Sequence, residues 1–429
     1  MLVATALSAF LVLGAAPAMA APTTDRVSLS SGGVQGNNHS GLAAPSKTGK
    51  FVAFESNASN LVATDTNATQ DIFVRNRKAG KTTPVSRRSN GAEANGFSST
   101  PHISDSGRWV GFTSSASNLV SLDGNLASDA FVHDRDTKKT TRVSTRSNGG
   151  EANGSSTIQG ISGNGRFVVF TSNATNLVPA DSNGNTDVFV KNRKTGKTKR
   201  VSVRSNGAQG NNGSFSAAIS PNARYVTFSS AASNLVPNDS NGVADVFVHD
   251  RNNKKTRRVS VASNGAQANN VSQLSDVSDN GVVVFASFAT NLVPGDTNGV
   301  WDAFAHRIGN GQTRRVSVSS AGAQGNNNSG IFSVPTISAN GDRIAFDSQA
   351  SNLVAGDSNA NLDTFLRDRS SQTTRRVSVR FDGTQGNTAA AGGHVTSNGK
   401  LVAFLSNSTN LVGGDTNGFN DSFIRGPIN

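Results

Sequence analysis

One marker recurs seven times along the 429 residues: Asp-x-Asn-x-x-x-Asp, followed by x-Phe. It stands at Asp65/Asn67/Asp71, Asp123/Asn125/Asp129, Asp181/Asn183/Asp187 and Asp239/Asn241/Asp245. It returns at Asp296/Asn298/Asp302, Asp357/Asn359/Asp363 and Asp415/Asn417/Asp421. The first Asp advances by 58, 58, 58, 57, 61 and 58 residues. A fixed period of this size means stacked supersecondary units, because one unit cannot bury its apolar faces alone.

Each unit reads as four strands. Strand A is short, as in Ala218-Ile219-Ser220, and a tight turn follows with Gly at 107, 165, 281, 341 and 399. Strand B is Arg166 to Phe170, strand C is Asp187 to Val190, and strand D is Arg200 to Val203 in the third unit. Strands B and C are apolar at successive positions, as expected of sheets packed on both faces. Strand D alternates, as an outer strand half in solvent should. No segment of helical length carries the 3.6-residue period. The last unit stops after its strand C at Asp421-Ser422-Phe423-Ile424, and the chain opens with an orphan strand D, Arg26 to Ser30. The N-terminal strand therefore completes the last unit, closing a ring and removing exposed sheet edges. The expected fold is all-β, a seven-bladed β-propeller of four-stranded blades.

Composition agrees. Hydrophobic residues make up 35% of the chain, and 14 of the 23 Phe are the repeat positions of strands B and C. There is no Cys, which excludes disulfides, thiolate metal sites and Cys nucleophiles. Residues 1–20 carry an apolar stretch and then Ala18-Met19-Ala20, the pattern of an export signal, although no Lys or Arg precedes the stretch. The domain assignment is thus a signal peptide at 1–20 and the propeller at 21–429. A secreted protein is expected, extracellular or in the cell envelope. No later run of 18 apolar residues offers a membrane span. A monomer is expected.

Ser220-Pro221-Asn222-Ala223-Arg224-Tyr225-Val226-Thr227-Phe228 resembles the strand–turn–strand signature of TolB-like propeller repeats, relatives of the WD-repeat class. Ser338 to Phe346 is a looser copy with one inserted residue, and Asp-x-Phe-Val-x-Asp-Arg is similar to the family's third strand. The resemblance covers nearly all of residues 26–425. It implies a propeller, often an exported one, that serves as a binding platform, and it implies no catalytic residue. The blade number, and the lack in these residues of a counterpart to TolB's N-terminal domain, keep a TolB-type envelope role from being carried over.

In such a ring the D–A and B–C loops share one face, and the A–B and C–D turns share the other. The loop face receives the marker residues. Oxygen ligands at i, i+2 and i+6 resemble the start of a calcium loop, so each triplet from Asp65/Asn67/Asp71 to Asp415/Asn417/Asp421 is a candidate calcium site. The competing reading is structural, with Asp and Asn capping turns. The turn face receives Arg75, Arg77, Lys78, Lys81, Arg135, Lys138, Lys139, Lys191, Arg193, Lys194, Lys197, Arg251, Lys254, Lys255 and Arg257, which would carry much of the net charge of +12. A basic face on an exported protein points to a protein or an anionic envelope polymer as partner. Core-placed aromatics leave few rings for base stacking, which counts against nucleic acid. His133, His249 and His306 occupy matching strand C positions in separate blades and cannot converge, whereas His102 and His394 fall on channel-lining strands. The longest and shortest spacings, near Asp357 and Asp296, are where an asymmetric site is expected. The principal functional expectation is a secreted, non-catalytic binding or scaffold propeller. The alternative is a calcium-supported polysaccharide hydrolase or lyase.

Overall fold

The computed structural model describes residues 21–428, so the expected export segment, 1–20, lies outside the described residues. Seven four-stranded antiparallel sheets follow one another, six of them spanning residues 40–84, 98–142, 156–200, 214–258, 272–315 and 336–376. The seventh combines Ala390–Val395, Val402–Ser406 and Asp421–Gly426 with the N-terminal strand Thr23–Arg26. That strand pairs antiparallel with the last one, Thr23 opposite Gly426 and Arg26 opposite Phe423. The seven-bladed propeller closed by its own N terminus is the architecture expected above.

The core lies between blades. In every blade, strands B and C each contribute one Phe, and the two rings stack across the strand pair with centroids 5.6–5.9 Å apart. Val169 and Val188 of blade 3 pack with Val226, Phe228 and Phe247 of blade 4. The closing interface has the same form: Ala403 and Ile424 of blade 7 meet Val52, Phe54 and Phe73 of blade 1. Full burial of one such side chain stabilises by roughly 1.5–3 kcal/mol. Strands B and C are apolar on both faces because each sheet is sandwiched between two neighbours.

Two strand boundaries differ from the sequence reading. Strand D of blade 3 is Thr198–Arg200, not Arg200 to Val203, and the N-terminal strand is Thr23–Arg26, not Arg26 to Ser30. The Arg-Val-Ser-Val segment alternates for another reason. Val201 is buried, the Ser202 hydroxyl turns to Asp187, and Val203 bridges to Gln209 across the D–A loop. Strand A is also longer than read, six residues in Ser214–Ile219.

A polar latch reinforces each interface. A Thr at the start of strand D donates its hydroxyl to a carbonyl in the loop leaving the preceding blade: Thr198 to Thr145 O at 2.5 Å, Thr256 to Val203 O at 2.5 Å, Thr374 to Val318 O at 2.5 Å. Thr24 does the same toward Val379 O at 2.6 Å, so the donated strand makes the contact that each other outer strand makes. Beside each Thr sits the fifth residue of strand C. His133, His249 and His306 fill it in three blades, each with Nδ1 2.8–2.9 Å from its own blade's Thr Oγ1. Arg75, Lys191, Arg367 and Arg425 fill it in the others.

The A–B turns bring neighbouring blades close. Gly165 has φ +69°, and a Cβ there would stand 2.1 Å from Cδ1 of Trp109 in the preceding blade. Only glycine gives both the left-handed backbone and this approach.

Two outcomes follow. Removing residues 21–26 exposes the edge of Asp421–Gly426, so amide exchange should accelerate across 402–426 while the strands at 156–200 keep their protection. Thr198→Val removes one latch hydroxyl at nearly constant volume. Urea denaturation should show a loss of about 1–3 kcal/mol, the cost of leaving buried polar groups unpartnered.

Candidate functional site

Three surfaces hold the chemistry-bearing residues: the loop face, the turn face and the axial channel.

On the loop face, the last Asp of each marker begins strand C and is buried. In blade 3, Asp187 accepts the Ser202 hydroxyl at 2.6 Å, and Arg200 Nη1 lies 3.0 Å from both Asp181 and Asp187. Gln209 Nε2 donates to the same two carboxylates at 2.8 and 3.1 Å. Burial raises the carboxyl pKa of Asp187, opposed first by Ser202 and then by Arg200. The arginine recurs as Arg26, Arg142, Arg258, Arg315 and Arg376, each 3.0–3.4 Å from its pair of Asp carboxylates. In these six loops a guanidinium stands between the oxygens that the calcium reading assigns to an ion. These arginines were not singled out from sequence. The signal was there: each lies 13 residues after the last Asp of its marker, as Arg200 follows Asp187, and Arg26 supplies blade 7 through ring closure.

The asparagine of each marker caps the turn. Asn183 Oδ1 accepts the Asn185 amide and its Nδ2 donates to Gly210 O, both at 2.9 Å. Asn67 repeats this with the Thr69 amide and Ala94 O, also at 2.9 Å. In the other five loops Asn125, Asn241, Asn298, Asn359 and Asn417 accept the amides of Ala127, Val243, Val300, Asn361 and Phe419 at 2.8–3.3 Å. Their Nδ2 atoms donate to Ala152 O, Ala268 O, Gly325 O, Gly386 O and Gly36 O at 2.9–3.0 Å. Each of these oxygens, among the candidate calcium ligands, thus accepts a hydrogen bond within its own turn. A short amide side chain reaches its own backbone two residues on, which uses one of the oxygen's two acceptor positions. The amide then turns its N–H toward the acids: Asn125, Asn241 and Asn298 donate to Asp129, Asp245 and Asp302 at 3.4, 3.2 and 3.1 Å.

Blade 1 differs in its charges. Pro84 occupies the arginine position, and Asp65, Asp71 and Glu93 hold carboxylate oxygens within 4.8 Å of one another. Arg87 approaches only Glu93, at 3.8 Å. The Asp65 carboxyl is pushed up to about 6 by burial, then by the charges of Asp71 and Glu93. Blade 2 also carries a Glu, Glu151, but there Arg142 Nη1 reaches all three acids, Glu151 at 2.5 Å. Acidic clusters therefore exist in two loops among the described residues, and only the first lacks a central guanidinium.

On the turn face the expected basic residues divide. Arg75 and Lys191 are not on this face: they are buried latch residues, and Lys191 Nζ donates to Thr145 O and Arg146 O at 3.1 Å. Their place at an inward-facing strand C position accounts for this. Arg135, Arg193 and Arg251 fold over Phe51, Trp109 and Phe167 of the preceding blades, with guanidinium-to-ring distances of 4.2, 3.7 and 4.0 Å. Arg257 is exposed on strand D rather than in a turn. Arg77 pairs with Asp25 at 2.5 Å, and eight exposed lysines remain, two in or beside each C–D turn of blades 1–4: Lys78 and Lys81, Lys138 and Lys139, Lys194 and Lys197, Lys254 and Lys255. The corresponding turns of blades 5 and 6, residues 308–311 and 369–372, contain no Lys. These lysines form an arc, not a full circle, and blade 5 presents Arg307 at the same turn instead.

The axial channel widens into a cavity of ≈ 530 Å³. The penultimate residue of each strand A forms one layer around it: Ala44, His102, Gly160, Ala218, Asp276, Thr336 and His394. Burial, and then proximity to His394, lowers the His102 pKa to about 3; burial lowers that of His394 to about 4. Both imidazoles are neutral at pH 7. The widest marker spacing feeds this cavity. In blade 6 strand A shrinks to Thr336–Ile337, and the irregular segment before it presents Ile331, Phe332, Ser333 and Val334 to the channel.

No protein-family model and no curated protein matches the chain in sequence. Solved structures match it in fold. An oligogalacturonate lyase in complex with manganese shares 11% identity over 95% of this chain and 91% of its own, with a TM-score of 0.52. A prolyl endopeptidase shares 11% identity over 91% of this chain and 50% of its own, also at 0.52. TolB from Acinetobacter baumannii shares 12% identity over 79% of this chain and 62% of its own, at 0.41. The chain thus spans under two thirds of that TolB. At these identities the likenesses show the propeller fold alone, and the fold is common to binding proteins and enzymes.

Proposed function

We propose that this propeller is an exported binding module whose turn face holds an anionic polymer of the cell envelope. The arc of eight exposed lysines on four consecutive blades carries this reading. Point charges on flexible stems suit a repeating polyanion, and displacing its counterions supplies much of the affinity. Three aromatic rings on this side are already covered by arginines, which leaves the face poor in stacking surface for nucleobases. The acidic surface of an envelope protein is the other partner such an arc would take. The apolar, Ala-terminated residues 1–20 support export.

The alternative, a calcium-supported polysaccharide hydrolase or lyase, has one specific support, the first loop. There Asp65, Asp71 and Glu93 have the hard-oxygen character that calcium takes, with Asn67 beside them. In the other six triplets, Asp123/Asn125/Asp129 through Asp415/Asn417/Asp421, an arginine is already paired with the carboxylates and offsets one of their charges.

Binding of polygalacturonate or poly(glycerol phosphate) should fall steeply with salt, with the logarithm of affinity linear in the logarithm of salt concentration. Reversing Lys194, Lys197, Lys254 and Lys255 to Glu should abolish it, while Leu126→Glu in the B–C loop of blade 2, on the loop face, should leave it unchanged. Equal losses from both changes would refute the turn-face assignment. For the first loop, calcium should raise the Tm of the native chain, and Asp65→Asn should remove that rise. Pro84→Arg, which restores the sister blades' arrangement, should raise the Tm without calcium and make it calcium-independent. A Tm indifferent to calcium in the native chain would dismiss the metal reading.

A further inference from the structure

We propose that the axial channel is a second binding site, one for a small molecule with an apolar body and a protonated amine. The cavity volume of ≈ 530 Å³ is that of a small-ligand pocket. Its walls are largely aliphatic. Leu42, Phe332 and Val334 line it and keep 41%, 42% and 37% of their surface exposed, an apolar entrance unlike the polar loops around it.

The charge inside is one-sided. No Lys or Arg is among the described residues lining the cavity. Its two imidazoles are neutral at pH 7. The carboxylates on the wall are Asp105, near the turn-face mouth, and Asp276, within the central layer. Asp276 accepts two backbone amides, Val277 N–H at 2.7 Å and Ile337 N–H at 3.0 Å. A carboxylate has about four acceptor positions, so about half of its capacity is unused and no cation offsets its charge. Asp347 beside the channel is different. It accepts the Thr364 hydroxyl at 2.9 Å, the Gly392 amide at 2.9 Å and the Ser333 hydroxyl, and it is sealed by them. The small side chains of Ala44, Gly160 and Ala218 leave the space in which a ligand reaches Asp276. An ammonium group supplies both the hydrogen-bond donors and the positive charge that the site lacks. A carboxylate-bearing ligand would meet only like charge.

Three probes that share one hydrocarbon body separate the contributions: adamantylmethylamine, adamantylmethanol and adamantanecarboxylate, titrated calorimetrically into the full chain at pH 7.5. The amine should bind one to one and about tenfold or more tighter than the alcohol, the increment of one charge-assisted hydrogen bond. The carboxylate should bind weakest. In Asp276→Asn the amine and the alcohol should bind alike. Ala218→Leu, which fills the central layer without altering charge, should lose all three. Equal affinity for amine and alcohol in the native chain, absence of binding by the amine, or an unchanged amine preference in Asp276→Asn would overturn the proposal. Should Asp276→Asn fold poorly, Ala218→Leu still decides: retained amine binding there places the site outside the channel and overturns it as well.

Discussion

Everything in this molecule depends on the apolar contact between successive sheets. A single four-stranded sheet with both faces apolar has no stable existence in water; here each face of strands B and C is covered by a neighbour. The Phe pair within each blade, such as Phe170 with Phe189, fixes the thickness of the stack. That arrangement has no natural end, because the first and last sheets would each expose a face. Closing the ring removes both exposed faces at once. The strand Thr23–Arg26 then ties the closure by filling the one outer edge left unpaired. Thr24 and Ser28 reproduce the latch and the serine bond of every other outer strand, and Arg26 the guanidinium of blades 2–6, so the junction is chemically close to the continuous ones.

The fold was legible because the repeat is a direct image of this packing. Asp187, Phe189 and Arg200 recur in register with Phe170, and their spacing needs no knowledge of angles or distances. Strand ends were less legible. Val201 and Val203 alternate as a half-buried strand does, but Val201 is anchoring a blade interface and Val203 is closing a loop. Alternation reports burial, not hydrogen-bonding partner. Direction was harder still. Arg75 and Lys191 read as members of a basic surface because charge in a sequence carries no orientation, yet the strand C register turns both inward to backbone carbonyls. The marker asparagines raise the same difficulty: spacing places Asn241 or Asn359 beside the acids, but only the turn decides which end of the amide faces them.

The loop face shows how a recurrent acidic motif can be self-contained. Two carboxylates brought together in a buried turn repel, and six blades relieve this with a guanidinium from the adjacent outer strand. A motif that resembles a metal loop is then the acidic half of an ion-pair cluster, with its cation 13 residues away in sequence. Pro84 breaks that arrangement once, and the break, not the motif, makes the first loop distinctive. The channel follows a similar logic. Six strands A keep a regular wall, and the irregular segment of blade 6 gives the cavity its asymmetry. The C–D turns carry their lysines on four blades only, so the charge of this outer rim is unevenly spread around the ring.

Strand donation in trans tests the closure most directly. A chain lacking residues 21–30 should bind a synthetic peptide of those residues one to one and regain most of its lost Tm. A peptide carrying Thr24→Val and Arg26→Ala should bind far more weakly, since it lacks the latch hydroxyl and the guanidinium. If neither peptide binds, or if the shortened chain is as stable as the full one, the ring is not held by its N-terminal strand.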